Sequence, residues 1–343
     1  MITASYRNLV WAYWHSFTQR WYRMYALGVD GGQTSTKCVL LTLDGRTLGI
    51  GSGGLLLHLA AENGAAQLRR SLWEAVSAAF AAASLPVQPV CTIGLGLTGI
   101  ERAEAPEAQI ARAIISELLP AEHVWIDNDG AAALIGAHLG AAGAIAISGT
   151  GSILVGLRRD GRMARVGGWG WLVGDEGSAV WLGKAAVQAV FQAEDGISAP
   201  TVLTQLLQEH FNVTEVRAIK RLIYAANFGA RGFAELAPLI GQAAAQADDV
   251  AQSILAEGAT ALAQAAQALY QAMDFSEQPL PLALIGGAWE HVQGLREYFA
   301  RAIHGLPIHL TEPALPPLYG AALAAIRAYG ADWRLAAQHM LAN

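Results

Sequence analysis

The sequence predicts an α/β protein of two similar lobes with a ligand cleft between them. A strand, a glycine-rich turn, a second strand, a tight turn and a third strand follow one another over residues 26–50, and the same order begins again at Ala144. The chain has 343 residues, which is more than one ordinary domain needs. The repeat is one of architecture, because the two stretches share few identical residues.

Hydrophobic spacing separates the helices from the strands of the first lobe. Leu68, Leu72 and Val76 recur every four residues and predict a helix, whereas short apolar runs bounded by turns predict strands. The predicted elements are strands 26–29 and 37–43, a third strand through residue 50, helix 65–83, strand 90–97, helix 105–119, strand 123–126 and helix 129–139.

In the second lobe, a strand from Ala144 leads through a glycine turn to strand 153–157 and, after a turn at 159–161, to a third strand. A mostly helical region at about 176–273, strand 282–285 and helices 289–303 and 318–329 complete the prediction. We place the lobes at residues 25–130 and 131–330, with an N-terminal extension at 1–24 and a C-terminal tail at 331–343.

Composition excludes several classes of protein. The net charge of −6 and the pI near 5.8 argue against nucleic acid as a partner. Although 53% of the residues are hydrophobic, no uninterrupted apolar run reaches about 18 residues, so we predict neither a transmembrane helix nor a membrane partner. The two cysteines, Cys38 and Cys91, lie in separate apolar runs, which disfavours a disulfide framework and a zinc site. A reducing, cytoplasmic compartment fits this usage.

Residues 1–24 differ from the rest of the chain, since they contain three tryptophans, three arginines and no acidic residue. An interfacial membrane anchor, a targeting segment and an upstream start codon read in error are the alternatives. Met24 immediately precedes the first strand. We therefore favour a disordered or non-native extension.

The first glycine-rich segment, residues 30–37, is predicted to bind phosphate. Glycine lets successive backbone N–H groups approach one anion, and hydroxyl side chains add donors. A plain hairpin turn is the alternative, but it does not need four hydroxyl or amide side chains in succession; a P-loop is excluded because a strand follows instead of a helix. The predicted phosphate-binding residues are Gly31, Gly32, Gln33, Thr34 and Lys37, and Asp30 is predicted to orient a hydrated Mg²⁺.

The second glycine-rich segment occupies the equivalent turn of the second lobe. Its predicted phosphate-binding residues are Gly149, Thr150, Gly151 and Ser152. Two such hairpins, far apart in sequence, suggest the two halves of a clamp around a polyphosphate. The sequence therefore predicts an enzyme that uses a nucleotide.

Residues 94–99 spell G-x-G-x-x-G after a strand, which is also the dinucleotide-binding pattern. In that fold a helix begins directly at the third glycine, whereas here Ile100, Glu101, Arg102 and Pro106 intervene. We expect these glycines instead to let the end of the strand pass close to the cleft.

Two further segments carry acidic residues at predicted ends of elements. Asp127, Asn128 and Asp129 end a strand and open a helix; one of them is sufficient for capping, so we expect another to act as a general base. Residues 168–178 combine Trp169, Asp175 and four glycines, a combination that suits sugar binding, although buried tryptophans alone would indicate a core.

Taken in order, the stretches DGGQTSTK, NDGAAALIGAHLG, ISGTGSI and GGWGWLVGDEGSAVWLG resemble the N-acetylglucosamine kinase and BadF/BadG-type ATPase family, within the sugar kinase, Hsp70 and actin superfold. The resemblance covers roughly residues 25–329. It implies two actin-like (ribonuclease H-like) lobes with a nucleotide and sugar cleft between them. It also implies ATP and Mg²⁺ as cofactors, a sugar as the small-molecule partner and, at family level, a homodimer.

The resemblance implies an ATP-dependent kinase acting on N-acetylglucosamine or a close hexosamine, with transfer to O6. In this chain Asp129 would be the catalytic base and a sugar contact. The other implied sugar contacts are His58, Gly168, Trp169 and Asp175, and Gly286, Gly287 and Ala288 would border the adenosine.

Two departures from the family pattern leave the substrate open. Gln33 replaces a third glycine of the first loop, and Leu57 stands where relatives that act on N-acetylglucosamine tend to carry asparagine. Glucosamine or another hexose is therefore an alternative substrate. An ATPase that activates a redox partner, such as a 2-hydroxyacyl-CoA dehydratase, is a second alternative, and a non-catalytic sugar sensor is a third; the lack of a cysteine after Cys91 disfavours the redox activator.

Overall fold

The computed structural model describes residues 24–57, 59, 61–273, 275 and 278–342. Residues 1–23 of the predicted extension, and the predicted sugar contact His58, lie outside the described residues. The described residues up to Ala141, together with those from Ala314 onward, form one compact unit, and Ala142–Pro313 forms a second.

The first unit is built on a five-stranded mixed sheet of order β3-β2-β1-β4-β5. Strands β1, β2 and β3 are antiparallel neighbours, whereas β4 runs parallel to β1 and to β5. Its elements are β1 (Tyr25–Gly31), β2 (Thr36–Thr42), β3 (Thr47–Gly53), α1 (Gly64–Ala82), β4 (Val90–Leu97), α2 (Pro106–Leu118), β5 (Ala121–Asn128), α3 (Asp129–His138), α11 (Pro317–Tyr329) and α12 (Trp333–Leu341).

The second unit repeats this topology, with the sheet order β10-β9-β6-β7-β8. Here β6, β7 and β8 form the antiparallel meander, and β9 runs parallel to β6 and to β10. Its elements are β6 (Gly143–Ser148), β7 (Ser152–Leu157), β8 (Met163–Gly167), α4 (Ala179–Glu194), α5 (Leu203–Phe211), α6 (Val216–Ile223), α7 (Gly229–Ala245), α8 (Asp249–Ala272), β9 (Leu280–Ile285), α9 (Gly287–His291), α10 (Leu295–Ala302) and β10 (Ile308–Thr311). The predicted architectural repeat and the two-lobe α/β fold are confirmed.

The observed units differ from the predicted lobes at two places. Residues 131–141 and 314–330, predicted in the second lobe, belong to the first unit, and the predicted tail contains α12. The cause is packing, because Leu318, Ala322 and Leu323 of α11 share one buried cluster with Ala26 and Val39 of the first sheet. An apolar helix belongs to the unit whose sheet buries it, whatever its position in the sequence.

Two element predictions in the second unit also need correction. The single helix predicted at 289–303 is interrupted, because Gly294 has a φ of 89° and separates α9 from α10. Strand β10 was not predicted, since its run of alternating apolar and polar residues is only four residues long; its place comes from pairing with β9.

Helix α11 lies unusually close to the sheet because glycines face it. A Cβ at Gly28 would lie 2.1 Å from the Leu318 carbonyl oxygen, and one at Gly94 would lie 1.9 Å from that of Ala321. The crossing of α11 with α3 is equally tight, since a Cβ at Gly320 would lie 2.0 Å from the Ala132 carbonyl oxygen. Only residues without a side chain allow these backbones to meet.

Among the residues described, every helix is too short or too polar to cross a membrane.

The contact between α3 and α11 predicts an inverted effect of a helix substitution. Alanine normally stabilises a helix by about 1 kcal/mol relative to glycine. We expect Gly320→Ala to lower the free energy of unfolding by about 2 kcal/mol or more, because the added methyl group overlaps backbone atoms of α3. Urea denaturation measures the change.

Ala328→Gly, on the exposed side of the same helix, is the matched control for helix propensity. It should cost about 1 kcal/mol. A Gly320→Ala protein as stable as the parent would contradict the described packing.

Candidate functional site

The loop between β1 and β2 forms a compact hairpin with polar side chains at its tip. The N–H of Gly32 donates to the Ser35 carbonyl at 3.0 Å, and Gln33 and Thr34 are exposed. Thr36, in contrast, is fully buried and its hydroxyl donates to the Gly54 carbonyl at 2.8 Å. Thr36 is one of the four successive polar side chains on which the prediction of phosphate binding depends. Its hydroxyl instead stabilises the fold by joining β2 to the chain after β3.

The chain after β3 supports this hairpin from one side. The N–H of Leu56 donates to the Gly32 carbonyl at 2.9 Å. A Cβ at Gly31 would lie 2.6 Å from side-chain atoms of both Leu56 and Leu97, so a larger residue there would displace the loop. Leu57, at the position where relatives tend to carry asparagine, is 41% exposed and has no group that could bind a sugar hydroxyl.

Strand register brings Asp30 and Asp127 to the same end of the first sheet. Asp30 lies opposite Lys37 on β2 and Gly96 on β4, and Gly96 in turn lies opposite Asp127 on β5. The pKa of Asp30 is raised to about 6, chiefly by burial and further by the negative charge of Asp129, while Lys37 opposes the rise. Asp30 and Asp129 therefore form an electrostatically coupled pair of carboxylates.

The capping of α3 leaves Asp129 available for chemistry. Asn128 is the N-cap, and its side-chain oxygen accepts from the Ala131 N–H at 2.7 Å. Asp127 accepts from the Asn128 N–H at 2.8 Å. Asp129 accepts from the Gly130 N–H at 2.9 Å. Burial raises the pKa of Asp129, whereas the Gly130 N–H, the Thr98 side chain and the N–H of Asp129 itself lower it.

The turn between β6 and β7 is the corresponding hairpin of the second unit. Ser148 pairs with Ser152, and the N–H of Gly149 donates to the Gly151 carbonyl at 2.9 Å. Thr150 is exposed at the tip, and both glycines are half-buried. This hairpin presents one hydroxyl and a glycine-rich backbone.

The serine hydroxyls at the base of this hairpin hold the structure together. Ser148 donates to the Gly177 carbonyl at 3.0 Å, and Ser152 donates to the Glu176 carbonyl at 2.8 Å. The hydroxyl of Ser152, a predicted phosphate-binding residue, is thus engaged by the segment that follows β8. Thr150 is the predicted hydroxyl donor that stays exposed.

The segment from Gly168 to Ser178 is fastened to the same hairpin. Asp175 is only 8% exposed, accepts from the Gly170 N–H at 3.1 Å and adopts a left-handed φ of 59°. Its carboxylate packs on Gly151, where a Cβ would lie 2.6 Å from Oδ2. Burial raises the pKa of Asp175, and hydrogen bonds from the backbone N–H groups of Gly170 and Ser152 lower it. Asp175 thus links this segment to the glycine hairpin.

Trp169 stands at the tip of the segment, 73% exposed, with the Arg165 guanidinium 5.4 Å from its ring centroid. An exposed indole of this kind offers a ring face for stacking. Gly168 has a φ of 71°, which directs the chain out of β8 toward Trp169.

Residues 286–288 follow β9, whose end lies beside that of β6. Gly286 has a φ of 117°, and a Cβ there would lie 2.4 Å from the Ser148 carbonyl oxygen. A Cβ at Gly149 would come within 4.0 Å of the Gly287 nitrogen. Ala288 is only 2% exposed, so its side chain belongs to the core.

The glycines of residues 94–99 have a structural role that the sequence analysis missed. A Cβ at Gly96 would lie 2.4 Å from the Ala132 Cβ, and Gly94 faces α11. Helix α2 begins only at Pro106, so no helix opens at Gly99 as a dinucleotide-binding fold would require. The one member of this motif with a place in the site is Thr98, which the glycine pattern concealed.

The residues present suit a hydrated divalent cation. Mg²⁺ is usually held by one or two carboxylates together with waters and substrate phosphates. Asp30 offers one carboxylate whose ionisation is opposed by Asp129, and a cation would relieve that repulsion. Within the described part of the chain, no cluster of three or more histidine, cysteine or acidic residues could hold a metal alone.

Comparison with known proteins places these features in a family. Residues 27–325 match the model of the BadF/BadG/BcrA/BcrD ATPase family. An N-acetyl-D-glucosamine kinase of Dictyostelium discoideum is 28% identical over 315 residues, which are 88% of this chain and 97% of that protein. An N-acetylmuramic acid/N-acetylglucosamine kinase of Clostridium acetobutylicum is 26% identical over 281 residues, 82% of this chain and 90% of that protein.

Solved structures agree with this placement. A Chromobacterium violaceum protein described as a candidate N-acetylglucosamine kinase is 32% identical, with a TM-score of 0.72 over 88% of this chain and 99% of its own. A ROK family glucokinase from Streptomyces griseus, solved with glucose and AMPPNP, has a TM-score of 0.55 at 19% identity over 88% of this chain and 99% of its own. The second likeness is one of fold.

The raised pKa of Asp30 predicts how pH affects stability. The pKa of Asp30 in the folded protein, about 6, lies above the ordinary value of 3.8. The tighter proton binding of the folded state therefore adds to the free energy of unfolding fully below about pH 4, and this stabilisation is lost as the pH rises through about 6. Asparagine does not titrate. We expect Asp30→Asn to gain about 2 kcal/mol in unfolding free energy relative to the parent between pH 4 and pH 7.5.

Urea denaturation at the two pH values measures this difference, and Asp195→Asn at an exposed position is the control. If the free energies of unfolding of the parent and of Asp30→Asn differ by the same amount at both pH values, the pKa of Asp30 is not raised in the folded protein.

Proposed function

The chain belongs to the BadF/BadG/BcrA/BcrD ATPase family, and on this premise we propose that it is an ATP-dependent kinase of an amino sugar, with N-acetylglucosamine as the substrate and O6 as the acceptor. The observation that supports this proposal most strongly is Asp129, a half-buried carboxylate at the end of the first sheet that does not cap α3, because Asn128 does. The names of the Dictyostelium and Clostridium relatives support the choice of an amino sugar.

The proposed reaction is in-line phosphoryl transfer. The O6 oxygen forms a bond to the γ-phosphorus of ATP, the bond from that phosphorus to the β,γ-bridging oxygen breaks, and ADP leaves with the electron pair. Asp129 accepts the proton of the O6 hydroxyl late in this step, so it does not need a strongly raised pKa.

The two glycine hairpins are proposed to bind the phosphate oxygens. Gly32 and Thr34 of the first unit and Gly149 and Thr150 of the second combine exposed or half-buried backbone with exposed hydroxyls. Mg²⁺, when bound with ATP, neutralises phosphate charge, and Asp30 would hold it through water while Lys37 adds a positive charge nearby.

The sugar contacts are proposed on the residues that the geometry leaves accessible. Trp169 offers its exposed ring face, and Gly168 sets its direction. Asp175 contributes through its hold on the Gly170 backbone more than as a free hydroxyl acceptor. Because Leu57 has no polar group, glucosamine is the substrate to test beside N-acetylglucosamine. A Vibrio cholerae protein named as a glucosamine kinase is 33% identical over 193 residues, which are 55% of this chain and 62% of that protein.

The redox-activator alternative finds no support in the cysteines. Cys38 and Cys91 are 0% and 2% exposed within β2 and β4 of the first sheet. An iron–sulfur cluster shared across a dimer requires thiolates at the surface that is shared.

Asp129→Asn should abolish most of the turnover and leave ATP binding intact. Asparagine preserves the size of the side chain but cannot accept the hydroxyl proton, so we expect kcat to fall by about a hundredfold or more. ADP release coupled to a spectrophotometric readout measures kcat, and fluorescent-nucleotide titration measures ATP affinity.

Asp127→Asn is the matched control, since that carboxylate lies two residues away and bonds the Asn128 N–H. It should retain most of the activity. Near-normal turnover of Asp129→Asn would overturn the assignment of the base. A panel of N-acetylglucosamine, glucosamine, N-acetylmuramic acid and glucose identifies the acceptor, and no stimulation by any of them would contradict a kinase of amino sugars.

A further inference from the structure

A groove of about 450 Å³ lies in the second unit, between the end of α4 and one face of α6. Glu194, the last residue of α4, and the following Asp195 line it on one side, and Arg217 and Lys220 of α6 line it on the other. Helix α4 has 16 residues and begins directly after segment 168–178, so it is about 24 Å long. The groove therefore lies at the opposite end of this helix from the glycine hairpin.

The two helices that carry these charges are fixed to each other by a shared core. Val187 and Val190 of α4 belong to the same buried cluster as Val216 and Ile219 of α6, and none of the four is more than 6% exposed. The separation of the acidic side from the basic side is therefore set by the packing of the helices.

The opposite charges that line the groove do not neutralise one another. In the part of the chain that the structure describes, none of the four charged side chains takes part in an ion pair or a side-chain hydrogen bond. No oxygen of Glu194 or Asp195 therefore lies within 4.0 Å of a side-chain nitrogen of Arg217 or Lys220. The carboxyl end of α4 adds negative partial charge on the acidic side. The space between the two sides thus suits a molecule that carries charges of both signs.

Tyr224 adds an aromatic surface to the basic side. Arg217, Lys220 and Tyr224 are spaced three and four residues apart, so they lie along one face of α6 and its end. Tyr224 is 80% exposed, and the half-buried ring of Phe191 lines the groove from α4. Aromatic rings in these positions offer contact area to the carbon frame of a small ligand.

We propose that this groove binds a small zwitterion. Its ammonium group would contact Glu194 and Asp195, its carboxylate or phosphate group would contact Arg217 and Lys220, and its carbon frame would pack on Tyr224. Free α-amino acids have this chemistry, and so does glucosamine 6-phosphate. Only the second source rests on the proposed function, because an amino sugar kinase that acts on glucosamine at O6 releases this compound.

Isothermal titration calorimetry of the full chain with each common L-amino acid and with glucosamine 6-phosphate tests the proposal and distinguishes the two sources. We expect one of these probes to bind. The double variants Arg217→Gln/Lys220→Gln and Glu194→Gln/Asp195→Asn should each weaken that binding about tenfold or more, because each removes the charged contacts of one side. Inorganic phosphate alone and methylammonium alone should also bind at least about tenfold more weakly, since each reaches only one side.

Two single variants outside the groove are the matched controls. Arg221→Gln, an exposed residue of α6, and Glu257→Gln, an exposed residue of α8, remove one charge of each sign and should leave zwitterion binding at the parental affinity. The substituted residues are all exposed, and circular dichroism checks that each variant is folded.

The titration needs no catalysis, so its result stands even if no amino sugar is phosphorylated. Glucosamine 6-phosphate bound at the proposed catalytic site would be retained by both double variants, so only the binding that they weaken supports the groove. Absence of binding by every probe would overturn the proposal. It would also be overturned by zwitterion binding that both double variants retain, or by inorganic phosphate that binds as tightly as the zwitterion. A change of oligomeric state in the double variants without zwitterion binding, seen by sedimentation, would identify the groove instead as an interface between copies of the chain.

Discussion

The first unit depends on one close contact between backbones, that of helix α11 with the sheet and with α3. Glycines at 28 and 94 let the helix approach β1 and β4 at distances that any side chain would prevent, and Gly320 does the same for α3. Because α3 begins at Asp129, the position of α11 also fixes the direction in which this carboxylate leaves the sheet. A segment almost 190 positions further along the chain thus helps to place the proposed base.

Neighbouring polar residues have different structural roles in this packing. Asn128 caps the helix, Asp127 accepts from the Asn128 N–H, and Asp129 accepts from the Gly130 N–H without capping the helix. The same division recurs in the second unit, where Ser148, Ser152 and Asp175 fasten the hairpin and the Trp169 segment together while Thr150 and Trp169 stay exposed. In the second unit, the polar groups that are engaged in hydrogen bonds hold the loops in place, and their neighbours stay exposed.

Much of the fold and part of the site could be predicted from the sequence. Apolar spacing located the strands and the longer helices, and the glycine turns marked the two hairpins, since these signals are local. The limits of the units could not be read this way, because nothing local in residues 317–329 indicates which sheet will cover them. The sequence also shows that residues 127–129, Thr36 and Ser152 are polar. Whether such a side chain caps a helix, hydrogen-bonds distant backbone or faces solvent depends on contacts with residues far away in the chain. Thr98 was missed for this reason, since its hydrogen-bond partner Gly31 comes near it only through strand register.

The most direct test of the central claim, that Asp129 is oriented to receive the proton of a sugar hydroxyl, is a crystal structure of the full chain with N-acetylglucosamine, Mg²⁺ and a non-hydrolysable ATP analogue. We expect the acceptor hydroxyl about 3 Å from an Asp129 oxygen. A bound sugar with every hydroxyl out of hydrogen-bonding reach of Asp129 would contradict it.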